Sequence, residues 1–177
     1  ALSRTSHVDP EAGAAASASI RTSIKSLRSL LVEIYPPNLH DEGLESAIGD
    51  LLSGLPSRGI TTHLDAEVGD VVIDPDAVGL LYRTVQEAIR NVVTHSRATA
   101  VNVTLRVVDD EATVSVDDNG TGCTLEEIDQ RSAEGHVGLR ALSGLLADSG
   151  GRLEVLSAKS TGTRVLATVP IRMGVRA

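Results

Sequence analysis

The apolar positions change period along the chain, and each change marks an element. Residues 1–19 are small and polar, with little periodicity. Ile20, Ile24, Leu27, Leu31 and Ile34 then recur at alternating spacings of four and three, the seam of a coiled-coil or bundle helix over about residues 20–35. Pro36-Pro37 stops it, because proline has no N–H to donate and forces the preceding residue toward extended backbone. Two heptads are too few for an isolated coiled coil, so the stripe equally suits a helix lying on the core of its own domain. A second helix is predicted from about Glu42 to Leu55, with Leu44, Ile48, Leu51 and Leu52 on one face and Pro56 to Gly59 ending it. Ile60 to Asp65 and Val71-Val72-Ile73 read as short strands. Asp74-Pro75-Asp76 opens the best-marked helix: a capping Asp, a proline in the first turn, and an acid at the positive end of the helix dipole. Its apolar stripe, Val78, Leu81, Val85, Ala88, Ile89 and Val92, carries it to about His95.

Beyond Arg97 the period falls to two. Val101, Val103, Leu105 and Val107 alternate with polar residues, Asp109-Asp110 turns the chain, and Ala112, Val114 and Val116 alternate again: an antiparallel hairpin with one wet face. Glycine-rich polar sequence runs from Asn119 to Gly138, with a capping-box pattern at Thr124-Leu125-Glu126-Glu127. A helix over 138–147 and two strands, about Arg152–Ser157 and Thr163–Val169, complete the order. Helix, helix, strand, helix, hairpin, helix, hairpin implies an α+β sandwich with helices on one face of a mostly antiparallel sheet.

Composition narrows the picture. The 177 residues suit one domain with part of a second, and starting at Ala1 rather than Met the chain reads as a piece of a longer protein. There is no Phe or Trp, and Tyr35 and Tyr82 are the sole aromatics, so the core is aliphatic and no aromatic platform for single-stranded nucleic acid exists. A formal net charge of -8 argues against a phosphate-backbone binder, and no nucleic-acid partner is expected. Cys123, the single cysteine, cannot form an internal disulfide, and no apolar run approaches membrane-span length, so a cytoplasmic setting is expected.

Three places could carry chemistry. On the helix 76–95, Arg83, Glu87, Asn91 and His95 recur every four residues and form a row. Such a row also suits a solvated surface, but Asn91 and His95 are poor helix formers. An Asn oxygen beside a carboxylate is a hard-oxygen site for Mg²⁺ and the phosphates it brings. Asp118 shares strand parity with Ala112, Val114 and Val116, so it points toward the buried layer and needs a donor: a Ser or Thr, a turn amide, or the exocyclic amine of a bound base. Gly120-Thr121-Gly122 after it lets backbone approach a ligand, although the same residues also make an ordinary turn. Gly135-His136-Val137-Gly138-Leu139 leads into a helix whose first amides are free to meet phosphate, and Gly162-Thr163 could add an amide and a hydroxyl.

Taken in order, these segments resemble a known family. Gln86-Glu87-Ala88-Ile89-Arg90-Asn91-Val92-Val93-Thr94-His95-Ser96 resembles the N box of the GHKL ATPases in its histidine-kinase form. Asp118-Asn119-Gly120-Thr121-Gly122, Gly135 to Leu139, and Ser160-Thr161-Gly162-Thr163-Arg164 resemble its later boxes. The Gly-His-x-Gly-Leu form, with Leu30-Leu31 through Pro36-Pro37 and then Gly43-Leu44, is similar to the subfamily that serves NarL-type response regulators. The resemblance implies a Bergerat-type α/β sandwich at 38–177, an ATP-binding catalytic domain. Residues 1–37 would be the end of a dimerisation and phosphoacceptor domain whose parent is a homodimer. It implies ATP and Mg²⁺, with Asp118 on the adenine amine, Asn91 on Mg²⁺ and Glu87 catalytic beside the γ-phosphate. His95 would lie near the phosphates, Gly120 and Gly122 would flank the base, and Thr163 would sit in the last phosphate turn. Gly135, His136, Val137, Gly138 and Leu139 would end a mobile lid.

The resemblance also implies the partners: a histidine acceptor on the dimerisation domain, then an aspartate on a response regulator. It places the acceptor helix upstream of residue 1. His7 lies in the polar leader and His40-Asp41 three residues after Pro36-Pro37, so this chain alone is expected not to autophosphorylate. Two departures stand out: Thr94 where many relatives carry Lys, and Cys123 where a larger apolar residue is common. Two other readings stay open, an anti-sigma-type GHKL serine kinase and a nucleotide-responsive module that no longer transfers phosphate.

Overall fold

In the computed structural model, residue 39 and residues 42–69, 71–124 and 138–171 are described. They fall within a compact unit spanning Pro36–Ala177. The expected helix at 20–35, His7, His40-Asp41, most of the Thr124–Glu127 capping box, the lid beyond it, and Gly135, His136 and Val137 lie outside the described residues.

The first helix, α1 (Gly43–Ser53), buries Leu44, Ala47, Ile48 and Leu52, and a short 3₁₀ turn at Pro56–Arg58 follows it, closed by a left-handed Gly59. Strand β1 (Thr61–Glu67) starts one residue later than its pattern predicts. Val71 to Ile73 does not form a strand: Val72 makes an isolated bridge and is 42% exposed. Helix α2 (Pro75–Asn91) begins as its signals dictate, the Asp74 carboxylate accepting the Ala77 N–H at 3.1 Å.

The same helix ends differently from expectation. Val92–Ser96 is a π turn, and Arg97 closes it in the left-handed region. Three polar groups follow the β-branched pair Val92-Val93 and rebind the backbone: Thr94 Oγ1 donates to the Arg90 carbonyl and Ser96 Oγ to the Val92 carbonyl, while the Ser96 carbonyl accepts Thr121 N–H at 2.8 Å. The wider winding changes which carbonyl each N–H meets after Asn91 but keeps a residue four positions on close to the same face, so Glu87, Asn91 and His95 stay on one side.

Strands β2 (Ala100–Val108) and β3 (Glu111–Asp118), helix α3 (Gly138–Asp148), and strands β4 (Arg152–Ala158) and β5 (Gly162–Pro170) complete the fold. The five-stranded sheet runs β1-β2-β3-β5-β4, with β1 and β2 parallel and every other pair antiparallel. Its inner face is aliphatic: Val101, Val103, Leu105, Val114 and Ala167 are fully buried against Leu81 and Val85 of α2, Ile48 of α1 and Leu146 of α3. The outer face of β1–β3 is polar and carries ion pairs, Arg106 with Asp65 and Glu67 and Arg164 with Asp117. Pairs this exposed contribute about 0–1 kcal/mol each. The aliphatic interior expected from a chain without Phe or Trp is what forms, and Tyr82 packs within it at 6% exposure.

Candidate functional site

Three element ends meet over the inner face of the sheet: the C-terminal ends of α2 and β3 and the first turns of α3. Between them lies a cavity of about 410 Å³, walled by these ends and floored by Val116, Leu153, Val155 and Val165. Helix α2 packs on β3 and β5 and α3 on β4, and over the cavity floor Leu153 and Val155 are only half-buried.

Asp118 continues the inward parity of Ala112, Val114 and Val116 to the mouth of the hairpin, as its position predicts. Its donors are turn amides: Gly120 N–H gives to Oδ1 at 2.7 Å, and the Thr163 backbone also donates. Burial pushes its carboxyl above the ordinary range, the two amides pull the other way, and the neighbouring Asp117 adds to the rise. The loop after Asp118 is tied on both sides. Asn119 Oδ1 accepts the Thr99 and Ala100 amides, each at 2.9 Å, and its amide gives to Thr99 Oγ1. Gly120 is pressed on the Ser96 carbonyl, where any side chain would collide, and Gly162 holds φ +81 with the Asp118 carbonyl in the space a Cβ needs.

On α2, the Glu87 side chain is 16% exposed and its Oε1 accepts from Arg90 Nη2 at 2.6 Å; Asn91 follows one turn later, half-buried. Gly138 lies directly against the Glu87 carboxylate. Glu87, Asn91, His95, Asp118, Gly122, Leu139 and Thr163 therefore all face one cavity, with Gly120 behind Asp118 and Gly138 behind Glu87. Gly135, His136 and Val137 lie outside the described residues.

Several lining residues were given no binding role by the sequence, although Ser96, Thr121 and Cys123 lie in or beside its motifs. Ser96 reaches the cavity at the end of the π turn, Thr121 from the loop after Asp118 with its N–H on the Ser96 carbonyl, and Arg140 and Ser143 come from the face of α3 that Leu139 shares. A spacing of three between Arg140 and Ser143 is visible in the sequence, but only the packing of α3 against α2 says which face turns inward. Cys123 also lines the cavity, its N–H donating to Ser157 Oγ at 2.9 Å. Thr94 turns its hydroxyl back onto its own helix and contributes nothing to the lining. The charged lining residues are thus Glu87 and Asp118 against Arg140, with His95 beside them. Among the described residues no group of three His, Cys, Asp or Glu side chains could hold a metal. The hard oxygens of Asn91 and Glu87 suit Mg²⁺ that brings phosphate oxygens of its own.

Comparisons with known proteins agree with this geometry. A family model for "Histidine kinase-, DNA gyrase B-, and HSP90-like ATPase" matches residues 76–173. The sensor histidine kinase LiaS of Bacillus subtilis is 30% identical over 145 residues, 82% of this chain and 39% of that protein. The sensor histidine kinase NarS of Mycobacterium tuberculosis is 31% identical over 158 residues, 88% of this chain and 36% of that protein. The chain thus spans less than two-fifths of the length of these relatives. Among solved structures, the histidine kinase domain of the Erythrobacter litoralis EL346 blue-light activated kinase superposes with a TM-score of 0.58 at 23% identity, covering 72% of this chain and 61% of that one. The mycobacterial sensor histidine kinase MprB does so with 0.55 at 22% identity, covering 73% and 95%. At that identity the likeness speaks for the fold, and the α+β sandwich is shared.

Proposed function

We propose, since this chain belongs to the family of histidine kinase-, DNA gyrase B- and HSP90-like ATPases, that it is the ATP-binding catalytic core of a sensor histidine kinase. In this reading residues 38–177 bind ATP·Mg²⁺ and residues 1–37 end a dimerisation domain of a homodimeric parent. The phosphoryl group passes to a histidine of the dimerisation domain and then to an aspartate on a response regulator of the NarL type. Use of ATP puts this part of the parent in the cytoplasm. The observation that carries the reading is the convergence of Glu87, Asn91, Asp118 and Thr163, from separate stretches of sequence, on one cavity of nucleotide size.

The residues divide the work by chemistry. Asp118 accepts the exocyclic amine of adenine, while Val116, Val155 and Val165 face the base and exclude water from it. Asn91 offers its side-chain oxygen to Mg²⁺, which when bound neutralises phosphate charge and fixes phosphate geometry. Glu87, held by Arg90, stands where the γ-phosphate end of the ligand must lie and receives the proton of the incoming imidazole. His95 lies along the phosphates, Gly120 and Gly122 bring backbone to the base, and Gly135 through Leu139 close over the triphosphate. The transfer breaks the bond between the γ-phosphorus and its bridging oxygen, forms a phosphorus–nitrogen bond on the acceptor, and releases ADP. Little covalent chemistry is asked of the protein, which positions groups and balances charge.

Two measurements test this. Calorimetric titration with ATP and Mg²⁺ is expected to give one site; no heat at millimolar nucleotide overturns the reading. With labelled ATP and a dimerisation-domain fragment supplied in trans, acid-labile phosphohistidine is expected. Acid-stable phosphoserine on a separate protein would favour the anti-sigma-type kinase, and binding without any transfer would favour the non-catalytic module.

A further inference from the structure

On the open side of α2, an arginine outside the cavity reaches a carboxylate that lines it. The Arg90 side chain is 61% exposed and absent from the lining, whereas Glu87, one turn earlier, stands on the wall with its side chain 16% exposed. Their ion pair therefore crosses the rim, with Arg90 Nη2 donating to Glu87 Oε1 at 2.6 Å. Gly138, the first residue of α3, closes on the same carboxylate, which fills the space a Cβ there would need. Among the described residues no group bonds Glu87 Oε2.

A glutamate carboxylate swings on three side-chain torsions unless packing or a bond fixes it. Here Gly138 limits the swing on the α3 side, and Arg90 fixes the last torsion by taking one oxygen. For folding, a pair this exposed matters little, about fivefold at most in the unfolding equilibrium. For a reaction the same contact matters more, because displacing a reacting group by about 1 Å can cost about a hundredfold in rate. The two roles therefore differ in size as well as in kind.

We propose that Arg90 is a positioning residue for phosphoryl transfer: it holds Oε1 of Glu87 at the rim and leaves Oε2 turned to the incoming acceptor. Arg90 itself touches neither nucleotide nor acceptor, and acts through Glu87. In the step it serves, an imidazole nitrogen bonds to the γ-phosphorus as the bond to the bridging oxygen breaks. The ring N–H proton passes to Oε2, and ADP leaves with the bridging oxygen. The inference rests on the kinase reading of the site.

The test is single-turnover transfer from labelled ATP to the dimerisation-domain fragment, with ATP affinity measured alongside by calorimetry. Arg90→Gln is expected to slow transfer at saturating ATP between about tenfold and a hundredfold, while ATP affinity stays within about threefold. Arg90→Lys keeps a cation that can take one carboxylate oxygen, and is expected to regain most of the rate. Glu87→Gln is followed to long times, since losing a general base costs about 10²–10⁴ in rate and still leaves label to count. In that background Arg90→Gln is expected to add less than twofold, because the arginine has no carboxylate left to hold; independent sites would add in full. An unchanged rate in Arg90→Gln, a loss that follows ATP affinity, or the same loss with and without the Glu87 carboxylate overturns the proposal and leaves the kinase reading intact. No transfer from the wild type to histidine overturns the kinase reading, and this inference with it.

Discussion

Asp118 shows at a single residue how a binding group differs from a stabilising one. It lies at the last inward position of β3, where the barrier to water is incomplete but burial still raises its carboxyl above the ordinary value of 3.8. A carboxyl raised on folding contributes stability that is fully present below its unfolded value and is lost as pH climbs through its folded value. The ligand-free protein therefore carries a strained carboxylate at neutral pH. Asp118→Asn keeps an acceptor for the Gly120 and Thr163 amides but removes the charge. Its melting temperature is expected to equal or exceed that of the wild type at pH 7 and to lose this advantage near pH 4, while calorimetry detects no ATP binding. A marked melting loss at pH 7 would mean that the carboxylate holds the fold. Asn91 is the complementary case, half-exposed and outside the core. Asn91→Ala is expected to unfold within about 1 kcal/mol of wild type and to lose at least tenfold in Mg²⁺-dependent ATP affinity; denaturant unfolding checks the first and titration with and without Mg²⁺ the second.

At the scale of elements, what the sequence made legible followed from periodicity and from caps. The hairpin β2–β3 could be read because alternation and a two-residue turn specify both register and face, and Asp118 could be placed inward by parity alone. The start of α2 could be read from Asp74-Pro75-Asp76. Its end could not: a π turn leaves the residue types unchanged and alters only which carbonyl each N–H meets. The row of four nevertheless holds through the change of winding, since Glu87, Asn91 and His95 all line the cavity. The inward face of α3 was equally hidden, since a short helix with Leu139, Leu142, Leu145 and Leu146 has no single obvious stripe. Packing chooses Leu142 and Leu146 as its buried anchors, which turns Leu139, Arg140 and Ser143 to the cavity. Stability and binding are thereby linked in one element. Leu146→Ala is expected to cost about 2–5 kcal/mol in denaturant unfolding, and to weaken ATP at temperatures where the protein remains folded, because the anchor of the cavity wall is gone. An unfolding loss with unchanged ATP affinity would show that α3 does not position the wall.

The molecule as a whole is acidic, with a formal charge of -8, yet the ligand proposed for it is a polyanion. Long-range repulsion must be outweighed locally, and Thr94, its hydroxyl turned onto its own helix, offers no cation for that. Among the described residues the arginine on the cavity wall is Arg140, whereas Arg90, Arg106, Arg152 and Arg164 are engaged with carboxylates. Arg140 stands in the first turn of α3, where the positive end of the helix dipole points the same way. A charge-assisted contact to phosphate contributes about 1.5–3 kcal/mol. Arg140→Gln is expected to weaken ATP roughly tenfold while adenosine, which lacks phosphates, binds as before. Salt separates the two electrostatic terms. In the wild type, added salt screens the Arg140 contact and the repulsion from the acidic surface together, so ATP affinity changes little or falls. In Arg140→Gln only the repulsion is left to screen, and affinity is expected to rise as ionic strength goes from low salt to about 0.15 M, where charges more than about 8 Å apart are largely screened. Equal salt dependence in the two proteins, or a matching loss of adenosine, would show that Arg140 shapes the wall without meeting phosphate.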